Sequence, residues 1–475
     1  MGESTMQRQR FLFIGLALLT LWRWALLPTL ELSPDEAALA LAAKHGTASQ
    51  APLLVWMVKA STAVFGAGEF GVRFFAPLMA LLASLAVWRF TRGLFDPMIA
   101  GWAVVVLNVL PAFNLAAVSL TPGTALFALT AAAMLCLRMA LLHAHPLHWA
   151  WFATGACAAA SVLVAPPGLA LVLGIATSLA WPNRLRHHLQ SRGFIAIVVM
   201  WIVAAVLSQS WRAFEMPALA LAPNLFRWIM LASPMLITLL VLVGRIIVPN
   251  VALVGMRALP LGFTLPMAAL DLLYGPWDHW PDTGGAAWLL PAAIVLAHQG
   301  AVFGAMPSEQ KISLRTIAIV CAALQSVFLM HSDLLRTLGV PWRFAGNLPP
   351  QAEWSRFFIA DPSSVMRGWR ESARLFDATL EKAPKSFSIA SNAQMAAELE
   401  YYSKSGSRFV GLAELQKGCD VLFITDDPAA VKPPPELEAR FASWELLSVA
   451  RVMHAGNEVR WLKIFSCHDF RPPEI

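Results

Sequence analysis

Charged side chains are scarce in this sequence: Asp, Glu, Lys and Arg make up 13% of its 475 residues, where a soluble domain carries about 25%. So little charge cannot solvate the surface of an ordinary globular protein. The 58% of residues that are hydrophobic gather instead into runs of about 18–22, the length that crosses a bilayer. A soluble protein is excluded and a polytopic membrane protein is left. Tyrosine is nearly absent, 3 residues against 19 Trp, so interfacial aromatic anchoring falls to tryptophan. Cysteine is limited to five residues with no CxxC or Cys/His cluster, which removes a structural zinc site. Cys136, Cys157 and Cys321 lie in apolar segments and read as packing residues. Cys419 and Cys467 lie in the polar C-terminal part, where an oxidising compartment would allow a disulfide. The net charge of +6 comes from short basic clusters between apolar runs, which excludes nucleic acid as a partner.

Apolar runs fall near 11–29, 71–90, 98–115, 122–142, 148–165, 167–182, 194–210, 224–244, 250–272, 284–304 and 314–332, about eleven spans by length. The short basic N-terminus and the uncleavable run after it read as a retained first span. Basic residues orient the set: Arg8 and Arg10, Arg89 and Arg92, Arg138 with His143, Arg184, Arg186 and Arg192, Arg245, and Lys311 with Arg315. All fall on one side if the N-terminus is cytoplasmic. The outer side then receives 30–70, the loops near 111–121, 209–223 and 271–282, and everything after about Ser332. The expected architecture is a polytopic α-helical membrane domain over 1–332, with interfacial helices in its 30–70 loop, and a soluble α/β domain over 333–475 outside the cytoplasm. In the C-terminal domain, 386–391, 408–412, 420–425, 444–453 and 458–465 read as strands and 393–403 as a helix.

A carboxylate pair, Asp35-Glu36, stands directly after the first span. Ser33-Pro34 before it is a helix start, and acids suit the positive end of a helix, so capping accounts for the pair on local sequence. The alternative is a general base, or a ligand for a divalent cation, at the mouth of a membrane cavity. On the outer face no nucleoside triphosphate is available, so chemistry there draws on substrates delivered by lipids. Glu69 and Arg73 stand four apart, either as an i,i+4 ion pair or with Arg73 meeting a phosphate. Asp271, Tyr274, Asp278 and His279 form a polar group in the 271–282 loop, an aromatic anchor or the rim of a substrate cavity.

Pro34-Asp35-Glu36-Ala37, Ala51-Pro52-Leu53-Leu54-Val55-Trp56 and Val64-Phe65-Gly66-Ala67-Gly68-Glu69-Phe70-Gly71-Val72-Arg73 succeed one another as in one family. So do Ser119-Leu120-Thr121-Pro122, His279-Trp280-Pro281 and Ala393-Gln394-Met395-Ala396-Ala397-Glu398-Leu399-Glu400-Tyr401-Tyr402. The chain resembles the bacterial aminoarabinose-transferase and protein-mannosyltransferase superfamily, polyprenyl-phosphate-sugar-dependent glycosyltransferases of the GT-C fold. The resemblance implies transfer of a sugar from an undecaprenyl-phosphate carrier to a glycolipid such as lipopolysaccharide, or to another glycan, at the outer face. It implies Asp35 and Glu36 as the acceptor-activating carboxylates. Substrate-binding positions are expected at Lys59, Glu69, Arg73, Tyr274, Asp278 and His279, in contact with membrane lipids, with no required metal beyond a divalent cation at most. Two positions depart from the pattern. A basic residue before Pro-Pro-Leu is replaced by Gln50-Ala51-Pro52-Leu53, with Lys59 two turns on as its substitute, and an acid in Thr-Pro-Asp is replaced by Gly123. A catalytically degenerate member that binds polyprenyl lipid or a partner enzyme is the competing expectation.

Overall fold

The structure, a computed structural model, describes residues 2–46, 51–143, 145, 147–165, 168–180, 185–208, 228, 231–233, 255–274, 284–302, 320–327, 365–383, 387–454 and 457–472. The chain divides into two compact units, Met1–Leu27 with Ala48–Met330, and Pro28–Thr47 with His331–Ile475. Segment 28–47, expected as part of the membrane domain's outer loop, clusters instead with the C-terminal unit.

The first unit is helical. Its elements are α1 (Gly2–Leu26), then, after α2 (Pro34–His45) of the other unit, α3 (Pro52–Phe65), α4 (Glu69–Arg73), α5 (Phe75–Arg92), α6 (Pro97–Val109), α7 (Pro111–Ala116) and α8 (Pro122–Leu142). There follow α9 (Trp149–Val164), α10 (Leu169–Ala180), α11 (Arg192–Ser208), α12 (Leu259–Tyr274) and α13 (Leu289–Val302). Helices α2, α3, α6, α7 and α8 each open with proline in the first turn. Its missing N–H belongs there to a group that has no intrahelical partner anyway, and its fixed φ is already helical. The same chemistry breaks the run expected over 98–115. Leu110 before Pro111 is extended, with φ −62° and ψ 127°, because proline disfavours α conformation in the residue before it.

Among the described residues four helices are long and apolar enough to cross a membrane, Gln9–Thr29, Glu69–Arg92, Pro122–Leu142 and Gly255–Leu273, and six shorter apolar helices accompany them. The run near 224–244 lies almost wholly outside the described residues, as does most of 314–332. Small residues bring the helices together, as in membrane interiors generally. A Cβ on Gly262 of α12 would lie 2.4 Å from Ser178 Cα of α10. At that crossing Ser178 Oγ donates to Leu259 O at 3.1 Å and Thr177 Oγ1 to Gly262 O at 2.6 Å. Polar side chains here satisfy themselves on backbone carbonyls.

The second unit is α/β. Strands β1 (Phe387–Ala390), β2 (Val421–Thr425), β3 (Phe441–His454) and β4 (Asn457–Phe470) form one sheet in the order β1-β2-β4-β3, with β1 and β2 parallel and the rest antiparallel. Helices α14 (Trp369–Leu380) and α15 (Ala393–Tyr402) bury one sheet face through Trp369, Phe376, Met395, Leu399, Leu422 and Ile464. The opposite face buries Phe423, Phe441, Phe465, Cys467 and Phe470, and a short helix, α16 (Pro435–Glu438), precedes β3. The strand expected over 408–412 is reduced to one bridge, Phe409 with Ser388. Gly406, at φ +69°, turns the chain before it, and a 3-10 turn at Leu412–Glu414 follows at once. Cys419 and Cys467 are free thiols. Cys467 faces the apolar core beside Val421 and Trp444, and burial pushes its thiol up to about 12.

Candidate functional site

The residues singled out in the sequence fall on both units. In the C-terminal unit the first-loop acids open α2, and their environments differ. Glu36, fully buried, accepts from Ser33 N at 2.9 Å and from Ser33 Oγ at 3.1 Å. This carboxylate-to-N-cap contact is half of a capping box, and one oxygen of Glu36 is thereby committed to structure. Asp35, in the same first turn, is only half-buried. Glu36 thus fastens the start of the helix, and Asp35 is the more exposed of the two carboxylates.

The remote motif Ala393–Tyr402 gains a physical explanation. It forms α15, on which α2 packs. Tyr402 Oη accepts the Leu32 amide at 2.7 Å, and His45 at the end of α2 lies 3.3 Å from Glu400. Glu31, three residues before the helix, accepts the amides of Trp369 at 2.6 Å and Arg370 at 3.4 Å at the start of α14, a favourable place for negative charge. Arg460 stacks its guanidinium 3.2 Å from the Trp369 ring centroid and donates to Arg367 O at 3.3 Å. Burial lowers its pKa to about 10 against the opposing pull of Asp426, Glu398 and Glu31. The acidic loop is therefore anchored at Glu31, Leu32 and His45 by residues of the C-terminal fold. Sequence reading missed Glu31 and Arg460; the only signal was a charged residue within each apolar neighbourhood.

In the helical unit, Lys59 is exposed on α3 and Glu69 is half-buried at the start of α4. Arg73 is buried, and its Nη1 donates to Leu27 O at 3.3 Å, at the end of the first span. Beside it Trp24 Nε1 donates to Phe74 O at 3.0 Å while the two rings stack. Asp271 on α12 is buried and accepts the indole N–H groups of Trp228 at 2.8 Å and Trp288 at 3.0 Å. Tyr274 ends that helix, its side chain outside the described residues, and Asp278 and His279 lie outside them too, as does Gln50. Where the family pattern has its second acid, Gly123 is buried. The Thr124 hydroxyl donates to Ala116 O at 2.8 Å and Ser119 O at 2.6 Å, so this motif has become a helix-start turn. Among the described residues no group of three or more His, Cys, Asp or Glu side chains is arranged to hold a metal.

One further polar group was missed in sequence. Arg23, in the last turn of α1 and buried, donates from Nη1 to Asn108 Oδ1 at 3.0 Å and from Nη2 to Asn114 Oδ1 at 2.8 Å. Asn108 Nδ2 continues to Ser84 Oγ at 2.9 Å, and Asn114 Nδ2 to the Asn108 carbonyl at 2.8 Å. The signal was there in the sequence. An arginine within the first apolar run, and asparagines within and just after the run of α6, are expensive in a membrane unless they meet.

Residues 49–211 match the family model of dolichyl-phosphate-mannose-protein mannosyltransferase. No curated protein matches the chain in sequence. Among solved structures, ArnT from Cupriavidus metallidurans bound to undecaprenyl phosphate aligns at a TM-score of 0.54 with 15% identity, covering 97% of this chain and 99% of that one. The apo state of the same protein aligns at 0.54 with 16% identity, covering 97% and 98%. At such identities the likeness establishes the fold. In sequence over residues 49–211 and in fold over nearly its whole length, the chain is similar to the polyprenyl-phosphate-dependent glycosyltransferases of the GT-C fold, the family its motifs resemble.

Proposed function

We propose that this chain is a membrane glycosyltransferase that moves a sugar from an undecaprenyl-phosphate-linked donor to a lipid or glycan acceptor at the periplasmic face. The observation that carries the reading is the division of labour in the first-loop pair on this fold. Glu36 is spent on the N-cap of α2, which leaves Asp35 half-exposed at a fixed helix start. A carboxylate held there takes the proton from the acceptor hydroxyl as that oxygen attacks the anomeric carbon, and the bond to the lipid phosphate breaks with the electron pair leaving on phosphate. No nucleotide is consumed. In this reading the donor's tail lies among the apolar helices and the exposed Lys59 is the cation that meets its phosphate, while Arg73 is buried on the Leu27 carbonyl. Tyr274, Asp278 and His279 are assigned to acceptor recognition from the sequence pattern alone.

The competing reading, a scaffold that binds polyprenyl lipid or a partner enzyme without turnover, has one observation in its favour. The Thr121–Thr124 turn has Gly123 where the family pattern carries an acid, and its single Thr124 hydroxyl is shared between two backbone carbonyls. One experiment separates the two. Lipid and surface-glycan fractions are compared by mass spectrometry from cells with the gene deleted, restored, or restored as Asp35→Asn. A sugar mass lost on deletion, regained with the wild type and absent with a normally folded Asp35→Asn protein supports transfer. Full restoration by Asp35→Asn refutes the assignment of Asp35, and no change on deletion favours the scaffold.

A further inference from the structure

The turn between α5 and α6 collects positive charge from three parts of the helical unit. Arg89 and Arg92 come from the last turn of α5, Arg138 from the last turns of α8, and Arg257 from the 3-10 turn Gly255–Ala258 ahead of α12. Arg138 Nη2 donates to Gly93 O at 3.1 Å, and Arg257 Nε donates to the very next carbonyl, Leu94 O, at 3.2 Å. Arg257 also stands 5.9 Å from the Phe95 ring centroid, and Arg92 stands 5.0 Å from that of Trp88. Arg89 is near enough to Arg138 to repel it.

Arg92, Arg138 and Arg257 are held by carbonyls and rings, not by carboxylates. Among the described residues none of the four forms an ion pair, and Asp96, exposed, is the only acid of the turn. The carbonyl end of α5 explains a cation or two at its own terminus. It does not explain why α8 and the turn before α12 bring two more arginines to consecutive carbonyls against their mutual repulsion. A Cβ at position 93 would lie 2.0 Å from Arg138 Nη2, so any side chain there makes the Arg138 guanidinium shift.

Each arginine stands at the end of an apolar helix, the level at which a bilayer presents its headgroups. We infer that this cluster is a binding site for an anionic phospholipid headgroup, whose phosphate oxygens accept bidentate hydrogen bonds from Arg138 and Arg257. The basic-residue pattern assigns this end of the helices to the cytoplasmic leaflet, away from the face proposed for sugar transfer. The inference rests on the chain spanning a membrane and not on its being a transferase.

The test is native mass spectrometry of the full-length protein, released from detergent after incubation with cardiolipin, phosphatidylglycerol or phosphatidylcholine. Wild-type protein is expected to keep the anionic lipids in preference to phosphatidylcholine. At about 1 kcal/mol per basic residue near a membrane surface, Arg257→Gln is expected to weaken retention roughly five-fold and Arg138→Gln with Arg257→Gln roughly twenty-five-fold. Arg257 is exposed, so the single variant answers the question even if the double one does not fold. Gly93→Ala keeps every charge and is expected to weaken retention by displacing Arg138. Equal retention of phosphatidylcholine, unchanged retention in Arg257→Gln, or complete displacement of the lipid by inorganic phosphate would overturn the site.

Discussion

Replacing Glu36 distinguishes a cap from a catalyst. In Glu36→Ala the Ser33 amide and hydroxyl, both buried, lose the acceptor that now lies 2.9 and 3.1 Å away. Loss of an N-terminal cap costs about 0.5–2 kcal/mol, and leaving a buried donor unsatisfied costs about 1–3 kcal/mol more. The two terms overlap, since the cap is the hydrogen bond, so the combined loss is roughly 2–4 kcal/mol. For a unit of 150–250 residues each kcal/mol moves the unfolding midpoint by about 2–4 °C, so a fall of roughly 4–16 °C is expected. Glu36→Gln keeps an oxygen acceptor and is expected to lose less than half as much. The assay is thermal unfolding of the detergent-solubilised full-length protein followed by tryptophan fluorescence, with glycan transfer measured in parallel below the midpoint. Asp35→Asn, at a half-exposed position, should leave the midpoint within about 0.5 kcal/mol of wild type. The reasoning fails if Glu36→Ala melts with the wild type yet abolishes transfer, because Glu36 would then act on substrate and not on the helix.

Other consequences are open to simpler measurements. Glu31→Ala strips the acceptor from two amides at the start of α14 and is expected to destabilise the C-terminal unit by about 1–3 kcal/mol in the same thermal assay; an unchanged midpoint would release Glu31 from that anchoring role. Arg23→Met leaves the Asn108 and Asn114 side-chain oxygens without their donor and is expected to lower detergent resistance of the helical unit by roughly 2–4 kcal/mol, whereas intact stability would remove Arg23 from the packing argument. Cys467, with its thiol held at about 12 against about 8.5 in an unfolded chain, favours its neutral form when folded. Its contribution to stability is therefore full below pH 8.5 and is lost as pH rises from there towards 12, and Cys467→Ala should flatten that alkaline slope. At pH 8 the folded protein should alkylate at the partly exposed Cys419 and not at Cys467, and rapid labelling of both would contradict the buried placement.

Helix positions in the first unit were legible because proline and apolar length write them directly: α8 coincides with the run at 122–142, and α9, α10 and α11 with the next three to within a few residues. What periodicity could not supply was membership. Nothing local in residues 28–47 says that they belong with a domain that begins some 300 residues later; that follows from Tyr402 holding the Leu32 amide and Glu400 facing His45, long-range contacts with no signature except the motif at 393–402. The strand expected at 408–412 failed for the opposite reason, because local β character lost to the glycines around it. The carboxylate pair was visible in the sequence, but the capping bonds of Glu36 were not, since they depend on Ser33 turning its amide and hydroxyl inward together. The departures at Gln50 and Gly123 take on a sharper meaning beside Arg23. Polarity missing from two loop motifs is present instead inside the helices, in an arginine–asparagine network built from α1, α6 and α7. Removing the guanidinium alone leaves the Asn108 and Asn114 side-chain oxygens without their donor, so the network stands or falls as a unit. Arg23 donates one hydrogen bond from each terminal nitrogen, while its buried Nε has no partner among the described residues, and Arg23→Met beside Asp35→Asn is the pair of substitutions that asks which unit performs the polar task.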